Sequence, residues 1–343
     1  MIITHAINNG EIGGAQKLIV DLINTNINKE ITFQIITLKK SKKNIFKKDI
    51  KTNIKIFHLS MIFSKDIFLL LKALINTDIF HVHLFPSLYL FAFFKQKKIF
   101  TEHSTFNRRR NFFFFKILDK FFYSRYSKII CISHGVKNSL INWLGNQIDF
   151  KIIVIYNGIK INFKNTILQN YKNKNNIGMI GNFINSKNQM FLIKLIKYLP
   201  SRYKLFLLGY GPNLPRLKKE INILRLNKRV IIFEQNIDSK MFFKKIGLYV
   251  QSSNWEGFGL AALEAMNNYL PTFTSNIEGI KELYNSKYLL FSNDKNELAR
   301  KIFFCNSNFI NYQKLAIISK KNSSYFNINR TNIFLNRCYR ELI

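Results

Sequence analysis

Two glutamates, Glu256 and Glu264, flank a glycine-containing segment in the second half of the chain. Between them lie Gly257 and Gly259, and a strongly helix-forming sequence begins at Leu260. Glycine lets the backbone approach a ligand closely, and the start of a helix presents unpaired N–H groups and a positive dipole end. The segment is therefore typical of a cradle for a phosphate or for sugar hydroxyls. With Glu256 in the loop, its carboxylate meets the ligand directly, while Glu264 reaches it from the second helical turn.

Four other segments place small, basic or imidazole side chains at or after the ends of predicted strands. Lys187 follows the turn of Gly181 and Asn182, and a lone lysine after a strand is most often a solvated loop residue. His103 stands at the end of a predicted strand, where a histidine can form hydrogen bonds without ionising. The remaining positions are glycines where the backbone can pass close to a ligand: Gly13, Gly14, Gly209 and Gly211. Each feature alone is also common in ordinary turns and solvated loops, so the interpretation depends on finding them together.

The elements that must position these residues follow a βαβ pattern. Short apolar runs alternate with amphipathic segments from end to end, which predicts α/β domains with mainly parallel sheets. Strands are predicted in the first half at Ile2–Ile7, Phe33–Leu38, Ile54–His58, Ile79–His83, Lys98–Thr101, Lys128–Ile132 and Lys151–Ile155. Strands are predicted in the second half at Ile177–Gly181, Lys204–Leu208, Arg229–Phe233, Gly247–Gln251 and Pro271–Thr274. The clearest predicted helices are Ala15–Asn24, Asp66–Ile75, Gln189–Tyr198 and Leu214–Leu224.

The chain has 343 residues, which is enough for two such domains. Asn162–Asn176 is polar and lacks apolar periodicity, so it is predicted to connect them. We therefore expect two Rossmann-like doubly wound domains, over residues 1–165 and 172–325, followed by a closing segment over 326–343. Two such domains facing each other leave a cleft at the carboxyl ends of their strands, where ligands normally bind.

The chain is strongly basic, with 53 Lys and Arg against 19 Asp and Glu, for a formal net charge of +34. Nucleic acid, an anionic membrane surface and phosphorylated small molecules can all balance such a charge. The composition is also rich in Lys, Asn, Ile and Phe, as expected of an AT-rich coding sequence, so part of the lysine excess has a non-functional explanation. No nucleic-acid-binding motif occurs, and the aromatic residues fall in apolar runs, which argues against a nucleic-acid partner.

Metal sites and membrane spans are not indicated. The three cysteines are widely separated and lack C-x-x-C spacing, which argues against a disulfide framework or a zinc site. His81 and His83 could ligate a metal, but a structural role, or for His83 a secondary role near the cleft, is favoured. With no D-x-D-like site, we expect neither a metal nor a cofactor to be required. The amino terminus lacks the features of a secretory signal, and the apolar stretches are shorter than the ~20 residues that span a bilayer, so a cytoplasmic, soluble or peripheral protein is expected.

Basic and aromatic residues are interleaved between residues 95 and 128. This mixture suits a helix lying at an anionic membrane surface, where an acceptor would be met. A core helix with a solvated basic face explains the same pattern, and the sequence does not separate the two. The residues assigned to the membrane or acceptor contact are Arg108, Arg109, Arg110, Lys116 and Lys120.

The segment from Glu256 to Glu264 resembles the E-x7-E signature of retaining glycosyltransferases of the GT-B fold, in particular glycosyltransferase family 4. Gly178–Phe183 with Lys187 resembles the element of that family that contacts the donor diphosphate, with Asn182 standing where many members carry arginine. Other segments resemble the family in the same order along the chain: Glu11–Gln16, Thr101–His103, Cys131–Ser133, Ile155–Gly158, Leu208–Pro212, Asn276–Glu282 and Asn329–Ile343. The last resembles the helix that in this fold crosses back onto the first domain.

The resemblance implies an enzyme that transfers a sugar from a nucleotide-diphosphate donor, most often a UDP-sugar, to a hydroxyl of a lipid-linked or cell-surface bacterial glycan such as capsule, lipooligosaccharide or O-antigen. It implies catalytic roles for His103 near the transferred sugar, for Glu256 on the donor sugar hydroxyls and for Lys187 on the departing diphosphate. It places Glu264 on the nucleotide ribose. The implied donor-binding residues are Gly13, Gly14, Gly181, Asn182, Lys187, Gly209, Gly211, Glu256, Gly257, Phe258, Gly259, Leu260 and Glu264. Together with the basic and aromatic stretch between residues 95 and 128, this predicts a cytoplasmic enzyme peripheral on the inner face of the cytoplasmic membrane.

Two alternatives remain open. A nucleotide-sugar epimerase on the same fold would turn over the donor without any acceptor, so product analysis in the absence of acceptor separates it from a transferase. A basic nucleic-acid-binding α/β protein would hold heparin or DNA at about 0.5 M salt.

Overall fold

The computed structural model describes residues 1–63, 66–234 and 237–343. The chain forms two compact α/β units. Unit 1 contains Met1–Lys160 together with Phe326–Ile343, and unit 2 contains Ile161–Tyr325. Unit 1 is therefore assembled from both ends of the chain.

The described part of the chain forms the following strands and helices. The strands are β1 (Ile2–Ile7), β2 (Thr32–Thr37), β3 (Lys55–His58), β4 (Ile79–His83), β5 (Lys97–Glu102), β6 (Lys128–Cys131), β7 (Ile152–Val154), β8 (Asn176–Ile180), β9 (Lys204–Leu208), β10 (Val230–Phe233), β11 (Leu248–Gln251), β12 (Thr272–Ser275) and β13 (Leu290–Phe291). The α-helices are α1 (Gly14–Thr25), α2 (Ile45–Asp49), α3 (Ile67–Ile75), α4 (Ser87–Phe91), α5 (Phe113–Ser124), α6 (His134–Leu144), α7 (Ile167–Lys172), α8 (Gln189–Tyr198), α9 (Leu214–Ile223), α10 (Ser239–Phe243), α11 (Leu260–Asn267), α12 (Lys295–Asn306), α13 (Phe309–Ser324) and α14 (Ile328–Arg340).

Unit 1 is a seven-stranded parallel sheet in the order β3-β2-β1-β4-β5-β6-β7. Because side chains alternate along a strand, the two faces carry different residues. Ile3, Ile7 and Ile79 pack into a core with residues of α1 and α14. On the other face, Phe80 contacts the ring of Phe91 in α4. The strand order reverses between β1 and β4, and ligands of doubly wound sheets bind at the carboxyl ends of the strands at such a point.

Unit 2 is a six-stranded parallel sheet in the order β10-β9-β8-β11-β12-β13. Its strands are short and almost continuously apolar, as expected of strands covered on both faces. Leu205 and Leu248 in the sheet and Leu263 in α11 are fully buried. The strand order reverses between β8 and β11, so the segments after these two strands are where a ligand is expected.

The predicted α/β fold is confirmed, and each predicted strand is present with ends that differ by at most one residue. The prediction for Asn162–Asn176 is wrong in one respect, because this segment contains helix α7 and belongs to unit 2. Thr166 Oγ1 and Asn170 Nδ2 donate hydrogen bonds to the carbonyl oxygen of Asn268, at 2.6 and 2.8 Å. The buried Ile167 and the ring of Tyr171, which contacts Tyr312, also attach α7. With only 6 residues the helix is too short to show an apolar period of 3.6 residues.

Candidate active site

A row of buried polar side chains leads along β11 to Glu256. The Tyr249 hydroxyl donates to Gln251 Oε1 at 2.7 Å, and Gln251 Nε2 donates to Ser253 Oγ at 2.9 Å. Ser253 Oγ in turn donates to Glu256 Oε2 at 3.1 Å. The first three residues are two apart on an extended segment, so they share one face. Because each buried polar group has its partner, the row holds the Glu256 carboxylate in place.

Lys187 and Glu256 form an ion pair through Lys187 Nζ and Glu256 Oε2. Their side chains are 21% and 14% exposed, so the pair is partly shielded yet open to a ligand. Two hydrogen bonds join the loop after β8 to the segment after β11: Asn254 N donates to the carbonyl of Ser186 at 2.7 Å, and Ser252 Oγ donates to that of Asn188 at 3.0 Å. The ion pair therefore stands where the strand order of the unit 2 sheet reverses.

Helix α11 begins beside this pair. Gly259 immediately precedes the helix and has φ +91°, a conformation that side-chain-bearing residues rarely adopt. A Cβ atom there would lie 2.7 Å from the side chain of Ile280. Glycine thus allows the chain to turn sharply from the Glu256 loop into α11, whose first N–H groups have no partner within the helix. An anion is favoured at this position.

Two further glycine turns of unit 2 are in direct backbone contact. Gly181 follows β8, Gly209 follows β9, and a Cβ atom on Gly209 would lie 2.1 Å from the Gly181 carbonyl oxygen. Only glycine fits such an approach without moving the backbone. Gly211 follows in the same turn, with a φ of +147°. These turns and the Lys187 loop lie at the carboxyl ends of neighbouring strands.

The other predicted donor-binding residues of unit 2 lie in varied surroundings. The Phe258 side chain is buried in the core, so only its backbone can face a ligand. Gly257 is buried, and Leu260 and Glu264 are half-buried on the first two turns of α11. Asn182 is exposed, and its carbonyl accepts a hydrogen bond from Gln189 Nε2 at 2.9 Å. Their roles toward a donor stay predictions.

In unit 1 three imidazoles form a hydrogen-bonded row. His5 Nδ1 lies 3.0 Å from His83 Nε2, and His83 Nδ1 lies 3.0 Å from His103 Nε2. His5 and His83 are fully buried, whereas His103, just after β5, is half-buried. Burial lowers the pKa of His5 to about 3 and that of His103 to about 4, so both rings are neutral at pH 7. The row positions His103, whose role beside the transferred sugar stays a prediction.

His81 lies beside this row but bonds elsewhere. Its two ring nitrogens lie 2.6 Å from the Tyr339 hydroxyl and 2.6 Å from Thr101 Oγ1. Ring nitrogens of His5, His81 and His83 come within 4.8 Å of one another, close enough for a metal ion to be considered. Because hydroxyl groups already bond both nitrogens of His81, the structure supports the structural interpretation of this residue.

Gly13 and Gly14 lie at the start of α1, after the loop that follows β1. Gly13 is extended, and a Cβ atom there would lie 2.5 Å from Gln16 Oε1. Gln16 Nε2 donates to Asn9 Oδ1 at 3.2 Å, which ties the helix start to the loop. The glycines leave the backbone of the first turn open at the carboxyl edge of the sheet.

The predicted membrane contact of Arg109 and Arg110 is wrong, while their predicted contact with an acceptor stays a prediction. Their side chains are only 8% and 7% exposed. Arg109 Nε donates to both Asp119 oxygens, at 3.0 and 2.9 Å, and Arg110 Nη2 lies 3.4 Å from Glu102 Oε2. Burial alone would raise the pKa of Glu102, but Arg110 and Arg109 hold it below its ordinary value. Each buried guanidinium group is thus paired with a buried carboxylate. The pairs could not be predicted because their partners lie 8 and 10 residues apart in the sequence.

The apolar side of this segment is exposed. We call Phe112, Phe113, Phe114, Ile117 and Phe121 the exposed aromatic face; their exposed fractions range from 45% to 74%. Arg108 and Lys120 are exposed nearby, and the Lys116 ammonium lies 5.9 Å from the Trp143 ring centroid. The core-helix alternative is therefore wrong for this side of α5, whose buried side carries Asp119 and Tyr123 instead. Among the described residues, no helix is both long and apolar enough to span a membrane.

Sequence reasoning missed the residues that hold the site in place. The β11 row of Tyr249, Gln251 and Ser253 was visible only as polar residues alternating in an apolar strand. His5 gave no signal because its partner His83 is 78 residues away. Alternation on β11 is the one pattern that could have pointed to its row.

The two units have the fold of GT-B glycosyltransferases, and comparisons with known proteins show the family. The family model Glycosyl transferases group 1 matches residues 160–317, and the model Glycosyltransferase Family 4 matches residues 12–163. The chain belongs to this glycosyltransferase family. Its fold matches Anabaena HepE in complex with UDP-glucose, with a TM-score of 0.85 and 19% identity over 100% of both chains.

Two curated relatives are similar in sequence. The uncharacterized glycosyltransferase MJ1178 of Methanocaldococcus jannaschii is 28% identical over 219 residues, which cover 63% of this chain and 60% of that protein. An Escherichia coli UDP-Gal:alpha-D-GlcNAc-diphosphoundecaprenol alpha-1,3-galactosyltransferase is 26% identical over 189 residues, covering 50% and 48%. The chain thus spans less than two thirds of the length of these relatives.

Proposed function

We propose that the protein is a retaining glycosyltransferase that moves a sugar from a nucleoside-diphosphate sugar, with UDP as the nucleotide, to a hydroxyl of a lipid-linked or cell-surface glycan. The observation that carries this proposal is the meeting of Lys187 and Glu256 beside the start of α11. A cation, a carboxylate and free N–H groups then stand together where the strand order reverses. These groups suit a phosphorylated sugar, with the diphosphate near Lys187 and sugar hydroxyls near Glu256.

Charge stabilisation is the chemistry that this arrangement can perform. As the sugar leaves, negative charge develops on the diphosphate, and Lys187 and the first N–H groups of α11 are placed to stabilise it. Glu256 pairs with the ammonium group of Lys187 and can accept hydrogen bonds from the sugar once the diphosphate has taken over Lys187. Because the chain supplies this positive charge, we propose that no metal is required and expect transfer to continue in EDTA.

The acceptor is proposed to be presented at a membrane surface. The exposed aromatic face offers apolar side chains next to exposed cations, Arg108 and Lys120. Aromatic side chains enter the membrane interface, and each nearby cation contributes about 1 kcal/mol at an anionic surface. The galactosyltransferase relative is named for an acceptor on diphosphoundecaprenol, which supports a lipid-linked acceptor here. We propose peripheral attachment at the inner face of the cytoplasmic membrane.

Donor binding is the first test. Ligand-detected NMR with UDP, GDP, ADP and CMP should show binding of UDP, with weaker binding to the Glu264→Gln variant. Glu220→Gln, which removes a carboxylate from α9 of the same unit, is the matched control and should bind as the unaltered protein does. Binding of no nucleotide would overturn the donor assignment, and equal binding by Glu264→Gln would remove Glu264 from the site.

Product analysis then tests the reaction. With a UDP-sugar and a glycan acceptor, the anomeric configuration of the product should equal that of the donor. Conversion of the donor sugar without any acceptor would instead favour the epimerase alternative. An inverted anomeric centre would contradict the retaining mechanism while leaving a transferase.

Membrane attachment is tested with vesicles. Phe113→Ser with Phe114→Ser should lower binding to anionic vesicles at least tenfold, since each buried aromatic contributes about 1.5–3 kcal/mol. Leu168→Ser with Ile310→Ser removes two exposed apolar side chains from unit 2 and should leave binding unchanged. Undiminished binding by the phenylalanine variant would contradict membrane contact through this face.

A further inference from the structure

We propose that a lysine-lined cavity in unit 1 binds a phosphate group of the acceptor. The cavity lies at the carboxyl ends of β2 and β3 and has a volume of about 390 Å³. We call it the lysine cavity; its walls include Lys40, Lys42, Asn44, Lys47, Lys48 and His58. The inference rests on the proposed function, because an acceptor is meaningful only for a transferase.

The walls of the lysine cavity carry positive charge without a counter-charge. Four of the residues are lysines, and none of the lining residues is acidic. In the described ranges, no ion pair involves Lys40, Lys42, Lys47 or Lys48. Burial and the charges of Lys47 and Lys40 lower the pKa of His58. A bound anion would relieve the mutual repulsion of these ammonium groups.

His58 distinguishes this cavity from a patch of surface lysines. Its side chain is 8% exposed, and its Nδ1 is held by the hydroxyl of Thr37. Its second ring nitrogen, Nε2, has no hydrogen-bond partner among the described residues. This atom is accessible rather than enclosed, so a ligand or water can reach it on the cavity wall. An oxygen of a phosphate group supplies the acceptor that an Nε2–H would need.

The lysine cavity adjoins the loop of the predicted site in unit 1. Gly10 N donates to Ser41 Oγ at 2.9 Å, and Ile45 N donates to the Gly10 carbonyl at 2.9 Å. A Cβ atom on Gly10 would lie 2.6 Å from Asn44 Oδ1, so the two segments pack without a gap. The same loop continues to Gly13. A ligand in the lysine cavity therefore lies beside the loop that carries Gly13, which the family resemblance assigns to donor binding.

The dimensions restrict the ligand further. Small-molecule sites measure about 300–1,000 Å³, so this cavity holds a phosphate with an attached glycerol or sugar unit. A neutral glycan would leave the four ammonium groups unbalanced. Phosphodiesters of a repeating glycan and the headgroup of a phosphorylated lipid share the required chemistry, as does the diphosphate of the donor. The experiment must separate these three sources.

The first measurement uses the full chain with ¹³C-labelled histidine. We expect inorganic phosphate and glycerol 3-phosphate to move the ring signal of His58, which is assigned by its loss in His58→Gln. Lys40→Gln with Lys47→Gln should weaken the Kd of glycerol 3-phosphate at least tenfold, since hydrogen bonds to charged groups are the stronger class. Lys314→Gln with Lys321→Gln removes the same charge from α13 of unit 2 and should leave the Kd unchanged.

Five outcomes decide the inference. An unmoved His58 signal, or equal weakening by the two double variants, overturns it. Competition by UDP for the His58 signal assigns the cavity to the donor and overturns it as well. A response to phosphatidylglycerol vesicles but not to glycerol 3-phosphate supports a lipid headgroup as the source, whereas the reverse supports a glycan phosphate.

The same variants separate this inference from the proposed function. If UDP binds and sugar is transferred, the Lys40→Gln/Lys47→Gln variant should raise KM for a phosphorylated acceptor at least tenfold and leave kcat and UDP affinity unchanged. An unchanged KM overturns the inference while the transferase stands. If no nucleotide binds yet His58 still responds to phosphate, the proposed function and the acceptor assignment fail together, and an anion site remains.

Discussion

The buried histidines of unit 1 should make its stability fall steeply below pH 6.5. His5 and His103 have native pKa values of about 3 and about 4, against 6.5 in an unfolded chain. Because the native pKa is depressed, the unfolded chain takes up protons first as the pH falls. The contribution to stability is full above pH 6.5 and is lost between 6.5 and about 4 for His103, and between 6.5 and about 3 for His5.

The size of the loss follows from these values. At pH 5 protonation lowers the free energy of an unfolded histidine by about 2 kcal/mol, while the two native rings stay almost entirely neutral. Relative to pH 7, His5 and His103 together remove about 4 kcal/mol from the free energy of unfolding. The pKa values of His81 and His83 are also lowered by burial, so they act in the same direction. The free energy of unfolding of a typical domain is only about 5–15 kcal/mol, so this loss is a large part of it.

Urea denaturation at pH 7 and pH 5 measures this effect. The chain has two tryptophans, Trp143 in unit 1 and Trp255 in unit 2, so Trp255→Phe leaves fluorescence that reports on unit 1. His5→Asn should reduce the loss between the two pH values by about 2 kcal/mol, since one proton uptake is removed. His134→Asn changes an exposed histidine and should leave the loss of stability between the two pH values unaltered. Equal midpoints at both pH values, or an unaltered loss in His5→Asn, would refute the reasoning.

Three further substitutions test individual contacts. Asp119→Asn leaves the buried Arg109 without its carboxylate and should lower the free energy of unfolding by about 3–5 kcal/mol, measured with urea; a change below 1 kcal/mol would contradict it. Glu256→Gln frees Lys187 for the diphosphate, so UDP affinity measured by calorimetry should hold or rise while kcat falls, and weaker UDP binding would argue against this arrangement. Gly209→Ala forces the backbone apart and should abolish UDP binding or lower the melting temperature, and an unchanged protein would refute the close approach.

Local sequence patterns determined the secondary structure and one cluster of the candidate site. Alternating apolar runs specify strands because a strand buried on both faces needs a continuous apolar run. The E-x7-E segment was recognisable because its requirements are local: Gly259 must turn the chain, Leu260 must begin a helix, and Glu256 must stay in the loop. Lys187 was singled out by its place in the segment that resembles the donor-diphosphate element of the family, in the loop after β8.

Contacts between distant residues were decided only by the tertiary structure. The sequence predicts that Arg109 and Arg110 are exposed cations, but in the structure both are buried and form ion pairs with Asp119 and Glu102. Lys187 and Glu256 lie in the loops after two different strands and meet as an ion pair. The histidine row likewise joins β1, β4 and the residue after β5, His103. Composition and periodicity describe what each segment can do. Which side chains meet depends on how parallel strands are ordered in a sheet, and strand order depends on the free energy of the whole packed unit.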